Sequence, residues 1–188
     1  MGVTVERTDY YQLIHQHIAP DSQLYPIYMI HCHMVTRKAL TIADKLGLAP
    51  ERKQFIEEAA MLHDIGIVRT NTPSIHCYGE LPYICHLVEG SAILQQAGLP
   101  RHARVAESHA GTGLTVAQIQ AQKLPLPLRD LAPVTLEEEI ISFADLFYSK
   151  DVNALWQEKS LAKIRASVAK YGAESLTKLE TWVERFYV

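Results

Sequence analysis

The stretch Ala59-Ala60-Met61-Leu62-His63-Asp64-Ile65-Gly66 sets a histidine and an aspartate side by side at the close of an apolar run. Pro50 opens the run at a helix position that needs no N–H donor. Phe55, Ile56, Ala59, Ala60 and His63 then recur on one helical face, and Gly66 ends the turn. With nine histidines in the chain, a His-Asp pair is expected by chance about 0.3 times per chain, but the tetrapeptide His-Asp-Ile-Gly only about once in a thousand chains. The tetrapeptide is therefore a signal, and its partners belong elsewhere in the chain.

Upstream, the apolar spacing predicts a helix from about Tyr25 or Ile27 to Leu46, with Gly47 as its stop. Its inner stripe is Ile27, His31, Met34, Val35, Ala39, Ile42 and Leu46. His31 and His33 point about 200° apart on a helix, so only one can face the core. His31 lines up with Val35, Ala39 and Ile42, whereas His33 lines up with Arg37 and Asp44 on a solvated face.

Downstream, Arg69 to Pro82 reads as a long loop. A helix follows from about Tyr83 to Ala97, closed by Gly98, and Pro100 starts a shorter one that ends near His109. Thr115 caps a short helix through Lys123, and residues 124–133 (LPLPLRDLAP) form a proline-rich connector. Thr135 and Glu138 make a capping-box signature for a helix through about Lys150. Glu137, Glu138 and Glu139 suit its first turn, which favours negative charge. Two amphipathic helices, near Ser160–Tyr171 and Glu174–Phe186, complete an all-α fold of about seven helices in one domain, residues 1–188. No segment shows the alternation of a strand.

The chain has 188 residues, 48% hydrophobic and 21% charged, with a net charge of −3. Such a balance gives no broad pull toward nucleic acid or an anionic membrane, so a small-molecule site is expected. Cys32, Cys77 and Cys85 lack zinc-ribbon spacing and read as reduced, partly buried thiols of a cytoplasmic protein. The opening residues lack a signal-peptide core, no apolar run reaches membrane-span length, and Gly2 alone is weak ground for myristoylation.

Five helices or helix ends each bring a His or Asp to an apolar stripe: His31, the pair His63-Asp64, His86, His109 and Asp145. An imidazole or carboxylate facing a core is costly unless partnered. A shared metal would partner all of them, and neutral imidazole with carboxylate suits Zn, Fe, Mn or Co.

These residues resemble the HD superfamily of metal-dependent phosphohydrolases. In residues 30–43 (IHCHMVTRKALTIA), His31 is followed by Val35 and Ala39 as in that family's first helix. Residues 59–66 match the His-Asp-Ile-Gly form of its central motif. His86 ahead of Gly90 in HLVEGSAIL, and His109 in AESHAG, resemble the further histidines of the two-metal branch, which single-metal relatives lack. Asp145 in ISFADLFYSK matches the late Asp, with Lys150 after it. The resemblance runs over residues 27–150, leaving 151–188 as packing helices.

The resemblance implies a first metal on His31, His63, Asp64 and Asp145, and a second on Asp64, His86 and His109. The metals would be divalent transition ions (Fe, Mn, Zn, Co or Ni). Two of them about 3.5–4 Å apart would supply hydroxide to attack phosphorus in a small phosphate ester or nucleotide. Asp64 and Arg69 are the candidate catalytic residues, and Arg69, His102 and Lys150 the candidate substrate contacts. His102 lies two turns before His109, and Arg37 and Lys38 are expected to be solvated. Two departures stand out. Ile67 occupies the position where many relatives carry Lys, which turns attention to Arg69. No acid follows the motif, which leaves Glu80, Glu89 and His102 open as proton donors. The alternatives are a di-iron oxygenase on the same scaffold and a non-catalytic nucleotide-binding regulator. Oxygenases of this kind carry a Tyr and a Glu just ahead of the first His; here Tyr25 and Tyr28 precede it, but Glu6 is the only earlier Glu.

Overall fold

In the computed structural model, residues 7–188 are described, so Gly2 and Glu6 lie outside the described residues. The α-helices among them are α1 (Tyr10–His17), α2 (Leu24–Lys45), α3 (Pro50–Leu62), α4 (His86–Gln96), α5 (Pro100–Ser108), α6 (Val116–Ala121), α7 (Leu136–Asp145), α8 (Leu161–Val168) and α9 (Ala173–Phe186). The fold is all-α, with more helices than the seven or so expected. The unforeseen one is α1. It carries only three buried positions, Tyr10, Leu13 and Ile14, too few to make a long period, and Asp9 caps it by accepting from Gln12 N at 2.9 Å.

Other departures are local. The Arg69–Pro82 stretch holds a two-residue antiparallel pairing, Asn71–Thr72 with Cys77–Tyr78. The Thr135 side chain accepts from Glu138 N as expected, but Glu138 turns its own carboxylate to Val134 N at 2.9 Å. Helix α7 stops at Asp145 rather than Lys150. Lys159 takes the carbonyls at that end, donating to Leu146 O at 3.3 Å and Tyr148 O at 2.7 Å. The chain therefore doubles back, and Lys150 lies on the returning loop.

Two large apolar clusters flank the line of histidines. Tyr28 and Cys32 of α2, with Met61 and Leu62 of α3, belong to one. Val35, Ala39 and Ile42 of α2, with Phe55, Ile56 and Ala59 of α3, belong to the other. His31 lies between Met29 and Cys32, and His63 between Leu62 and Ile65, all members of the first cluster. Ile140 and Phe143 of α7 join the second cluster together with Ile164, Val168, Leu179, Trp182 and Phe186 of the two C-terminal helices. The three cysteines are free and buried.

Gly66 explains why the motif ends in glycine. A β-carbon there would stand 2.1 Å from His86 O and 2.3 Å from Gly90 N. Both are backbone atoms of α4, so no side chain can yield. Forced overpacking of a core costs about 1–3 kcal/mol, and rigid backbone on the far side puts Gly66→Ala at the top of that range. We expect a clear drop in the denaturation midpoint, with His86 displaced. An unchanged midpoint would mean that α4 is free to move away from the turn.

Candidate metal centre

Helix ends deliver most of the site. His63 and Asp64 follow α3, His86 opens α4, His109 follows α5, Asp145 ends α7, and His31 comes from the middle of α2. Their ligand atoms form two groups, each within 4.8 Å: His31, His63, Asp64 and Asp145, and Asp64, His86 and His109. Asp64 is common to both. Its Oδ2 stands 3.1 Å from His31 Nε2 and 3.2 Å from His63 Nε2. Its Oδ1 stands 3.5 Å from both His86 Nε2 and His109 Nε2. Asp145 Oδ1 lies 3.0 Å from His31 Nε2 and 3.5 Å from His63 Nε2.

The donor set fits divalent metals. Asp64 Oδ1, Asp64 Oδ2 and Asp145 Oδ1 are buried without a hydrogen-bond partner, although nitrogen atoms stand close by. Three rings show how their tautomers are fixed. His63 Nδ1 donates to Ala60 O at 2.6 Å, His86 Nδ1 to Tyr83 O at 2.6 Å, and His109 Nδ1 to Ala106 O at 2.9 Å. A carbonyl only accepts, so each Nδ1 carries the proton. The Nε2 atoms of His86 and His109 are thereby turned inward, 3.2 Å apart. An N–H donated to a carbonyl is the usual support of a ligating histidine.

The charges agree with this. Burial works against the Asp64 carboxylate, yet the Lys150 ammonium and His63 outweigh it and hold its pKa well below the usual range. Lys150 Nζ lies 2.5 Å from Asp64 Oδ2. Burial also opposes ionised Asp145, but the neighbouring imidazoles of His31 and His63 hold it low. Burial pushes His86 down to about 3, so it is neutral and ready to ligate at ordinary pH. His63 goes the other way, because Asp64 and Asp145 overcome its burial and hold it well above the ordinary value.

The structure brings His31, His63, Asp64, His86, His109 and Asp145 together, with Lys150 among them. His33 is exposed on the outer face. The other candidates lie outside this cluster. Arg69 is exposed, and its charge bears on His17 of α1, so the cation at this centre is Lys150. His102 is buried against Glu58, with its Nε2 3.2 Å from Glu58 Oε2, and borders a cavity with Phe55 and Arg101. Glu80 is exposed. Lys38 is not solvated: it is buried, paired with Glu158 at 2.7 Å, and its Nζ lies 3.9 Å from the centre of the Phe147 ring. Tyr83 is the site residue that sequence reasoning missed. Its carbonyl fixes His86, and its ring lies 4.5 Å from the His86 ring. The only signal was its place three residues ahead of His86, where any residue offers a carbonyl.

A six-residue His/Asp centre gathered from the ends of packed helices defines a class, and residues 28–149 match the HD domain family. The chain belongs to that family. A tRNA (cytidine(56)-2'-O)-methyltransferase of Picrophilus torridus is 34% identical over 122 residues, covering 64% of this chain and 31% of that protein. An uncharacterised protein of Methanocaldococcus jannaschii is also 34% identical over 122 residues, covering 61% of this chain and 62% of its own. A second such methyltransferase, from Thermoplasma volcanium, is 30% identical over 154 residues, covering 81% of this chain and 40% of its own. The chain thus spans less than two thirds of the length of each of these relatives. Among solved structures it is similar to the HD domain of the L. monocytogenes phosphodiesterase PgpH, with a TM-score of 0.54 and 18% identity over 92% of this chain and 94% of that one. The same domain in complex with cyclic-di-AMP gives a TM-score of 0.56 over 98% and 91%. At 18% identity this likeness is one of fold.

His63 holds a proton in the metal-free protein near neutral pH, and a ligand must give its proton up. Metal loading should therefore release about one proton per chain from this residue, and affinity should rise as pH rises. Titration calorimetry in two buffers of different ionisation enthalpy reads this directly; equal heats in both would refute the assignment. Metal content by elemental analysis checks the choice of helix face: His31→Ala should lose metal and His33→Ala should keep it.

Proposed function

We propose that the protein is a metal-dependent phosphohydrolase acting on a small phosphate ester or nucleotide. The observation that carries this is Asp64, one buried carboxylate whose two oxygens face two separate sets of imidazole nitrogens. That arrangement suits two ions sharing one bridging ligand. His31, His63, Asp64 and Asp145 would hold one, and Asp64, His86 and His109 the other. When bound, such ions supply Lewis-acid contacts to phosphoryl oxygens and lower the pKa of water.

The remaining roles fall to the chain itself. The carbonyls of Ala60, Tyr83 and Ala106 keep the imidazoles turned with Nε2 inward. Lys150 is the cation within reach of a phosphoryl oxygen, in the role first expected of Arg69. Its ammonium stays charged, because Asp64, Tyr83 and Asp145 overcome the cost of burial. Tyr83 and Lys150 together border the clefts that lead to the centre.

The oxygenase alternative loses its tyrosines. The hydroxyl of Tyr28 donates to Met61 O at 2.8 Å inside the core, and that of Tyr25 pairs with His15 at 3.0 Å. Two relatives are named as tRNA methyltransferases, but the shared region is 31% and 40% of those proteins. Among the described residues no helix is long and apolar enough to cross a membrane.

The test is phosphate release from a panel of phosphate esters and nucleotides by protein reconstituted with each candidate metal. Wild-type protein should show metal-dependent release, and Asp64→Ala should lose metal together with at least about 10³-fold in rate. Normal turnover by Asp64→Ala would end the proposal. Oxygen consumption without phosphate release would move the chain to the oxygenase class.

A further inference from the structure

Two clefts open beside the metal centre, and they share Tyr83 and Lys150. One, of about 520 Å³, is bordered by Thr72, Ser74, Ile75, Val152 and Asn153. The other, of about 410 Å³, runs from Asp145 between the end of α7 and α8, and is bordered by Ser149, Lys159, Lys163 and Ser167. Three lysines therefore surround a cleft in which Asp145 is the one acid.

The charges do not cancel. Asp145 is already engaged with His31 and His63, and Lys150 is offset by Asp64. Glu158, the acid next in sequence to Lys159, is held by Lys38 and the Tyr148 hydroxyl. Lys159 spends two of its three N–H donors on the carbonyls of Leu146 and Tyr148, which fixes its position and leaves one donor free. Lys163 is exposed and has no ion-pair partner among the described residues. It lies four residues ahead of Ser167 on the same face of α8. The cleft thus presents two uncompensated cations and two hydroxyls beside the atoms that would hold the scissile phosphoryl group. A monophosphate ester would leave both cations without a partner.

We propose that this cleft is a second phosphate subsite, built on Lys159 and Lys163, and that the substrate is an organic polyphosphate such as a nucleoside di- or triphosphate. This deepens the phosphohydrolase reading and rests on it for turnover. The scissile group would meet Lys150 at the metal centre, the further phosphates would extend along α8, and the organic part would enter the cleft beside Ile75 and Val152.

The experiment compares the metal-loaded wild-type chain with Lys163→Met, Lys163→Arg and Lys170→Met on a nucleoside triphosphate and the matching monophosphate. The readout is the ratio of the two kcat/KM values. We expect this ratio to fall on the order of tenfold in Lys163→Met, as loss of one charge-assisted contact implies, to be largely restored in Lys163→Arg, and to be unmoved in Lys170→Met, an exposed lysine outside the cleft. A second measurement does not depend on catalysis: binding of inorganic tripolyphosphate and of orthophosphate to the metal-free chain by calorimetry. Tripolyphosphate should bind Lys163→Met on the order of tenfold more weakly than wild type, with a shallower salt dependence in the variant. Weakened binding in a protein that hydrolyses nothing would keep the subsite and refute the phosphohydrolase. Monophosphate hydrolysis with a ratio and tripolyphosphate affinity indifferent to Lys163 would refute the subsite alone.

Discussion

A carboxylate removed from water must be compensated, and Asp64 is fully buried. Leaving such a charge alone in a core would cost several kcal/mol or force it to take up a proton. Here four imidazoles and one ammonium stand around it, drawn from α2, α3, α4, α5 and the loop after α7. Most of the architecture follows from that requirement. Each of these elements must end, or pass, within a few ångströms of the same point, which fixes how closely the helices approach.

The close packing shows what this demands. Helix α4 meets the turn after α3 backbone to backbone, at Gly66 against His86 and Gly90. His86 enters the centre only because no side chain separates the two segments. The same economy appears in the rings, where a carbonyl three residues back orients His63, His86 and His109 alike. A helix end leaves its last carbonyls without intrahelical partners, so placing His63 after α3 and His109 after α5 satisfies the backbone and aims the ring in one contact.

The second apolar cluster, with Trp182, Phe143 and Phe186 at its heart, braces α7 against α9 and so holds Asp145. The return of the chain after α7 is secured by Lys159 on the carbonyls of that helix end. This turn carries Lys150 back to Asp64 and forms one wall of the cationic cleft. Packing at the C-terminal end of the chain thereby shapes the approach to a centre assembled mainly from its first two thirds.

The helices after α1, their order and the inward-facing His and Asp residues were legible in the sequence, because apolar spacing and capping chemistry are local and survive without the fold. The choice of His31 over His33 was legible for the same reason: two residues on one helix cannot both face inward. The tertiary structure alone decided which charges meet. Arg69 sits close to the motif in sequence yet faces solvent beside α1, whereas Lys150, 86 positions after Asp64, reaches it. His102 lies on the helix that His109 follows, but pairs with Glu58. Lys38 reads as a surface cation but lies over Phe147 with Glu158 at its head. A long charged side chain takes its partner from whatever the rest of the chain brings near, and that depends on how helices distant in sequence pack, not on the period of any one of them.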